Sequence, residues 1–212
     1  MVQIIPAILT NSADEFEKII RLVEPYSARV HLDVADGIFV SNETIKGYSE
    51  LEVVSTGLKF DVHLMVKDPL MQLSLWNNEK ADRFIIHVES PNLDETIREL
   101  RGMGKGIGIA INPDTSVEAL EHFIDQADFV CFMTVYPGFQ GRGFLDHVVE
   151  KIKDFRKKYP GVVIFVDGGI NLATAKSAVE AGVNGLVSGS FVVKSGNVGK
   201  TIAELQEAVQ NL

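Results

Sequence analysis

Two histidines and two aspartates in this 212-residue chain share one local setting. His31, Asp33, His63 and Asp167 stand towards the C-terminal ends of short apolar runs, RVHLDV, KFDVHLMV and VVIFVDGG. Each run reads as a buried parallel strand. Side chains alternate faces along a strand, so His31 and Asp33 point one way, as do His63 and Met65. Two imidazoles and two carboxylates brought to one end of one sheet make a mixed nitrogen–oxygen metal site. Such a set suits Zn²⁺, Fe²⁺, Mn²⁺ or Co²⁺ better than Mg²⁺ or Ca²⁺, which take oxygen ligands. The same arrangement leaves Asp33 and Asp167 able to act as acid and base. The opposing reading makes the histidines hydrogen-bonded core residues and the aspartates helix caps. It suits any one of these residues better than all four, because burying this much polarity requires compensating partners.

The elements that must position these groups alternate along the whole chain. Candidate strands are Gln3–Leu9, Arg29–Val34, Lys59–Met65, Arg83–Val88, Gly106–Ile111, Phe129–Val135, Val162–Asp167 and Gly185–Ser188. Amphipathic stretches lie between them. Ser12 with Glu15 has capping-box spacing before FEKIIRLV, and Thr115 with Glu118 repeats it before ALEHFI. Asn171 is placed to cap LATAKSAVEAG, which Gly182 then ends. An open doubly wound sheet gathers ligands at one switch point between particular strands. Here groups from the second, third and seventh strands must meet, which barrel closure achieves. The α/β expectation is therefore a single (β/α)8 TIM barrel over residues 1–212, with no linker or composition shift to divide it.

Composition agrees with a globular domain, at 46% apolar and 23% charged residues. A net charge of −9 argues against a nucleic-acid partner, which needs a basic stripe. The densest basic stretch, Lys151 to Lys158, is interleaved with acids and reads as a solvated helix face. The single cysteine, Cys131, lies in the apolar run FVCFMTV as a core thiol, consistent with a reducing compartment. The apolar start VQIIPAIL is short and lacks a basic flank, and no run approaches bilayer length. A cytoplasmic protein without a membrane partner is expected.

Glycine-rich turns supply a second clue. Pro137-Gly138-Phe139-Gln140-Gly141 follows the sixth strand, Asp167-Gly168-Gly169 ends the seventh, and Ser188-Gly189-Ser190 ends the eighth. Any one of them is an ordinary turn. Together they converge on the quadrant where loops after strands 7 and 8 commonly bind phosphate. Glycine lets backbone N–H groups approach an anion closely.

HLDVADGIFVSN, DVHLMV, FMTVYPGFQG, VDGGIN and the Gly-Ser turn resemble the signature segments of the ribulose-phosphate 3-epimerase family, in order and over essentially the whole chain. The resemblance implies an isomerase of the pentose phosphate pathway that interconverts D-ribulose 5-phosphate and D-xylulose 5-phosphate. It implies one divalent metal, zinc first among the candidates, bound by His31, Asp33, His63 and Asp167. Asp33 and Asp167 would be the catalytic acid–base pair. Phosphate would be held by backbone near Gly138, Gly141, Gly168, Gly169, Gly189 and Ser190, with Met65 and Met133 lining the site. A homo-oligomer is implied as well. The chemistry fits independently, since epimerisation beside a carbonyl removes a proton from one face and returns one to the other. Two carboxylates serve that need, and a metal stabilises the enediolate between the two transfers.

The chain departs from the family pattern at Ala7, where serine is usual, and at Ala35, Ile38 and Ser41, where methionine, histidine and proline are usual. Gln140 replaces a small residue and Arg142 a glutamine. Losing one neutral hydrogen bond costs roughly 0.5–1.5 kcal/mol, so Ala7 should weaken rather than abolish activity. The altered segment keeps open 3-epimerisation of a ketohexose 6-phosphate such as D-allulose 6-phosphate. The accumulated changes keep open a catalytically weakened phosphosugar-binding barrel. Related decarboxylating barrels carry a D-x-K-x-x-D run, which Asp33-Val34-Ala35-Asp36-Gly37-Ile38 lacks. His87 and Glu89 share a face at the end of the fourth strand, and Asp36 is placed to cap a turn or orient a ligand. His122 and His147 read as surface residues of helices, and Asn112-Pro113 as a turn.

Overall fold

Alternation of apolar strands and amphipathic helices closes into a ring. A computed structural model describes residues 2–139, 141–210 and 212 and contains a closed barrel of eight parallel strands in sequential order. The strands are Gln3–Ile8 (β1), Arg29–Ala35 (β2), Lys59–Met65 (β3), Ala81–His87 (β4), Gly106–Ile111 (β5), Phe129–Met133 (β6), Ile164–Asp167 (β7) and Gly185–Ser188 (β8). Helices Ala13–Val23 (α1), Tyr48–Val53 (α2), Pro69–Trp76 (α3) and Leu93–Gly102 (α4) follow the first four strands. Asp146–Lys158 (α5) follows β6, Leu172–Glu180 (α6) follows β7, and Ser190–Val193 (α7) and Val198–Val209 (α8) follow β8. No helix among the described residues is long and apolar enough to cross a membrane.

The barrel fold expected from the sequence is correct, and the strand limits need small corrections. The first strand stops at Ile8 rather than Leu9, the second continues to Ala35, and the fourth spans Ala81–His87 rather than Arg83–Val88. The sixth stops at Met133 rather than Val135, and the seventh begins at Ile164 rather than Val162. Apolar character runs past the ladder at these ends, whereas cross-strand pairing defines the strand itself.

A larger correction concerns the segment after β5. Instead of a helix over ALEHFI there are two 3₁₀ turns, Val117–Leu120 and Ile124–Gln126. One expected capping group is engaged elsewhere. The Glu118 carboxylate of the expected box takes the Ser116 hydroxyl. Lys151 Nζ binds the carbonyls of Asn112, Pro113 and Thr115 and holds the whole loop. At α1 only half of the box forms: Ser12 accepts from Glu15 N, while the Glu15 carboxylate takes the Thr10 hydroxyl. The Asn171 box is complete. Its side chain accepts from Ala173 N and Thr174 N, and its own N–H reaches Thr174 Oγ1 at 2.9 Å.

Strand alternation sorts the core into two parts. Outward residues such as Leu32, Phe84, Ile109 and Phe132 pack against helix residues such as Phe16, Ile97 and Phe155. Inside the barrel, Ile5, Ala7, Ile85, Ala110, Phe129, Cys131, Met133, Phe165 and Val187 form a separate apolar layer. Polar groups occupy the two ends of that interior. At the N-terminal end the Asp61 carboxylate, fully buried, is gripped by Arg29 and Arg83. At the C-terminal end stand His31, Asp33, His63 and Asp167. Ladder register brings Asp33 beside His63 and Met133 beside Asp167, so neighbouring strands deliver their groups at one height.

Candidate active site

The four residues expected to meet do meet. His31 Nε2 lies 3.0 Å from His63 Nδ1, and His63 Nδ1 lies 3.0 Å from Asp33 Oδ1. Asp33 Oδ1 is 3.3 Å and Asp167 Oδ2 is 3.4 Å from His31 Nε2, and His63 Nδ1 is 3.5 Å from Asp167 Oδ2. All four donor atoms fall within 4.8 Å of one another. Ligands about 2.0–2.2 Å from a tetrahedral Zn²⁺ are spaced about 3.3–3.6 Å apart, close to the five imidazole-centred distances given above.

Electrostatics agree with a cation at this point. Burial opposes a charge on His31, yet the Asp167 and Asp33 carboxylates overcome it and raise its pKa to about 10. His63, equally buried, is raised by the same two carboxylates. Burial would push Asp167 up, but His31 and His63 hold it well below the usual carboxylate range. The cluster therefore favours positive charge at its centre, as protons or as a metal ion. His31 Nδ1 is buried with no hydrogen-bond partner among the described residues.

A cavity of about 330 Å³ opens above the cluster. Asp33 and Asp167 form part of its lining, whereas His31 and His63 lie beneath with no exposed surface. The oxygen of each carboxylate nearest the imidazoles is Oδ1 of Asp33 and Oδ2 of Asp167. Among the described residues no donor bonds the second oxygen of either. The imidazoles can thus only hold, while the carboxylates can both hold and exchange protons with a molecule in the cavity.

Each glycine-rich turn singled out in the sequence reaches this cavity. Gly138, Gly141, Gly168, Gly169, Gly189 and Ser190 all line it, as do Met65, Met133 and Ala7. Gly168 is held at φ +117°, and a Cβ there would lie 2.3 Å from Val135 Cγ2. Gly168→Ala is accordingly expected to cost about 1–3 kcal/mol through backbone strain and displacement of Val135. Thermal unfolding and the substrate KM would both register it, and an unchanged KM would show that this turn does not shape the site. Arg142 is the one cationic side chain among the described lining residues, and its guanidinium lies 5.1 Å from the Phe139 ring centroid. Gln140 lies outside the described residues.

Sequence reasoning missed several apolar lining residues, including Leu9, Val135, Phe144 and Phe191. They carry no signal that separates them from core. His87 does not line the cavity; its Nε2 lies 2.9 Å from His63 Nε2, behind the cluster. Glu89 Oε2 lies 3.2 Å from His87 Nδ1, and Glu89 is held at about 2 despite burial by His87, the Thr115 hydroxyl and the Asn112 N–H. Asp36 caps a turn, accepting from the backbone of Ile38, Phe39 and Lys67. Exposed His122 pairs with Asp94, between the two 3₁₀ turns rather than on a helix. His147 lies exposed on α5.

A closed parallel barrel with acid–base groups at its C-terminal mouth and a glycine-lined wall beside them defines an enzyme of the (β/α)8 class. Residues 3–193 match the model of the ribulose-phosphate 3 epimerase family. The Bacillus subtilis ribulose-phosphate 3-epimerase is 38% identical over 97% of this chain and 99% of its own length. The Rhodobacter capsulatus ribulose-phosphate 3-epimerase is 37% identical over 99% and 96%. Among solved structures, the 3-hexulose-6-phosphate synthase of Salmonella typhimurium shares the fold at TM-score 0.74, with 14% identity over 99% of each chain. The orotidine 5'-phosphate decarboxylase of Pyrococcus horikoshii does so at TM-score 0.66, with 16% identity over 99% of this chain and 100% of its own. The chain belongs to the ribulose-phosphate 3-epimerase family. It is an isomerase, an epimerase acting on a carbohydrate phosphate.

Proposed function

We propose that the chain is a metal-dependent 3-epimerase interconverting D-ribulose 5-phosphate and D-xylulose 5-phosphate. The observation that carries this reading is the division of labour in the cluster, with buried imidazoles below and two carboxylates open to one cavity. His31, Asp33, His63 and Asp167 would hold the ion, and zinc suits the two-nitrogen, two-oxygen set and its spacing. A divalent ion bound there supplies Lewis-acid stabilisation of the negative charge that develops on substrate oxygens.

The proton chemistry belongs to the carboxylates. One of Asp33 and Asp167 removes the C3 proton, and electron density moves onto the adjacent carbonyl oxygen to give an enediolate. The other returns a proton to C3 from the opposite face. A single base would tend to restore the starting configuration, so two are required for inversion. General acid or base catalysis contributes about 10²–10⁴-fold for each group. Met65 and Met133 present apolar surface beside these carboxylates, which limits water near the reacting carbon. The glycine-lined wall at Gly138, Gly141, Gly168, Gly169, Gly189 and Ser190 offers main-chain groups to the phosphate.

Metal-replete protein incubated with D-ribulose 5-phosphate in D₂O tests the proposal. Deuterium should enter C3 as D-xylulose 5-phosphate accumulates, and a chelator should stop both. Absence of exchange would overturn the epimerase reading and favour a phosphosugar binder. A second reading, 3-epimerisation of D-allulose 6-phosphate, is kept open by the replacements Ala35, Ile38 and Ser41 in the segment after Asp33. Clearly faster turnover of the hexulose than of the pentulose would decide for it. A decarboxylase reading gains nothing, because no lysine lines the cavity among the described residues.

A further inference from the structure

Behind His63 a line of buried polar groups leads away from the cavity, and the chemistry above makes no use of it. His63 Nε2 meets His87 Nε2 at 2.9 Å, with ring centroids 5.0 Å apart and planes 17° from parallel. The nitrogens are the point of closest approach, so this is a nitrogen-to-nitrogen hydrogen bond rather than a face-to-face stack. On its far side His87 Nδ1 lies 3.2 Å from Glu89 Oε2. Glu89 in turn accepts the Asn112 N–H at 2.9 Å, as an ionised carboxylate must.

These contacts determine where the protons sit. Opposite a carboxylate, His87 Nδ1 must donate. Ligation through His63 Nδ1, the nitrogen that faces the cluster, leaves the proton on Nε2, and His87 Nε2 is the acceptor within reach of it. A neutral imidazole has one N–H, so His87 Nε2 is a lone pair and His63 Nε2 must donate to it. With a cation in the cluster in place of protons, His63 Nδ1 is then bare, and it is the atom that faces His31 Nε2 and Asp33 Oδ1 at 3.0 Å. The opposite tautomers would set two lone pairs or two N–H groups against each other along the line.

We propose that Glu89 and His87 are positioning residues that fix His63 in the Nε2–H tautomer and so present its Nδ1 lone pair to a divalent cation. The inference rests on the metal reading given above. The device is rigidly set. His87 is fully buried, its ring lies 4.8 Å from that of Phe39, and Asp36 holds the Phe39 N–H at 2.9 Å. His31 has no counterpart, since its Nδ1 lacks a partner among the described residues. The protein thus orients one of its two imidazoles through a dedicated chain and leaves the other to packing. Groups that orient a metal-binding histidine typically change metal affinity about 10–100-fold when removed.

The test is equilibrium binding of Co²⁺ to the metal-free protein, followed by visible absorption. His87→Leu should bind Co²⁺ about 10–100-fold more weakly than the wild type, and Glu89→Ala should move in the same direction. His87→Gln, whose amide oxygen can take the place of Nε2 as acceptor, should bind close to the wild-type level. Wild-type affinity in His87→Leu would overturn the proposal, and so would His87→Gln binding as weakly as His87→Leu. Should thermal unfolding show that His87→Leu does not fold, wild-type affinity in Glu89→Ala overturns it equally. A wild-type chain that takes up no Co²⁺ brings down the metal reading and this proposal with it. Variants that match a Co²⁺-binding wild type bring down this proposal alone.

Discussion

Asp167→Asn is expected to lower solvent-deuterium exchange at C3 of the sugar by about 10²–10⁴-fold, and Asp33→Asn to do the same. The amide keeps the shape and loses the basicity, so the fold should survive; the thermal unfolding midpoint checks this. Both carboxylates line the cavity from separate strands while one oxygen of each reaches the imidazoles. If each serves one face of C3, the residual exchange in the two variants should favour opposite epimers. Near-normal exchange in either variant removes that residue from the acid–base pair. Part of the loss will come from weakened metal binding, so exchange is to be compared at saturating metal.

The other large effect lies at the opposite end of the barrel and concerns stability. Asp61 Oδ1 lies 2.5 Å from Arg29 Nη1 and 2.7 Å from Arg83 Nε, and the carboxylate is fully buried. Arg29 continues to Asp82, and the Arg83 guanidinium rests 4.8 Å from the Phe129 ring centroid and 5.1 Å from that of Phe165. Removing one partner of a buried pair strands the other charge, at a cost of about 3–5 kcal/mol. Both arginines keep partial exposure, so Asp61→Ala is expected near the lower end, about 3 kcal/mol. Urea unfolding measures it. A variant with the wild-type midpoint would show that solvent or Asp82 satisfies both guanidinium groups unaided.

Much of this was legible because a parallel barrel repeats one unit and puts its chemistry at one end of each strand. Polar residues in otherwise apolar runs, His31, Asp33, His63 and Asp167, marked the site because that much buried polarity at one end of a sheet requires a compensating partner. Asp61 occupies the same run as His63 and drew no comparable reading. Its partners Arg29 and Arg83 come from neighbouring strands, and register alone brings them together. Pairing also explains the missed strand limits. The false helix after β5 failed for a related reason: Lys151, from α5, holds the carbonyls of Asn112, Pro113 and Thr115, a contact no local spacing reveals. His87 and Glu89 were visible as residues sharing a face, but their place behind His63 depends on the inclination of β4 within the closed ring.

Six described residues lining the cavity are glycines, which offer it only main chain, and this bears on how the protein can change over evolutionary time. A contact made by a peptide group survives almost any substitution that preserves the loop's path, whereas a contact made by a side chain is lost with one codon. Of the departures from the family pattern, Ala7 and Arg142 line the cavity, and none falls on its glycines. One end of the ligand would then be inherited with the backbone, while the surrounding side chains remain free to drift and retune what the rest of the cavity accepts.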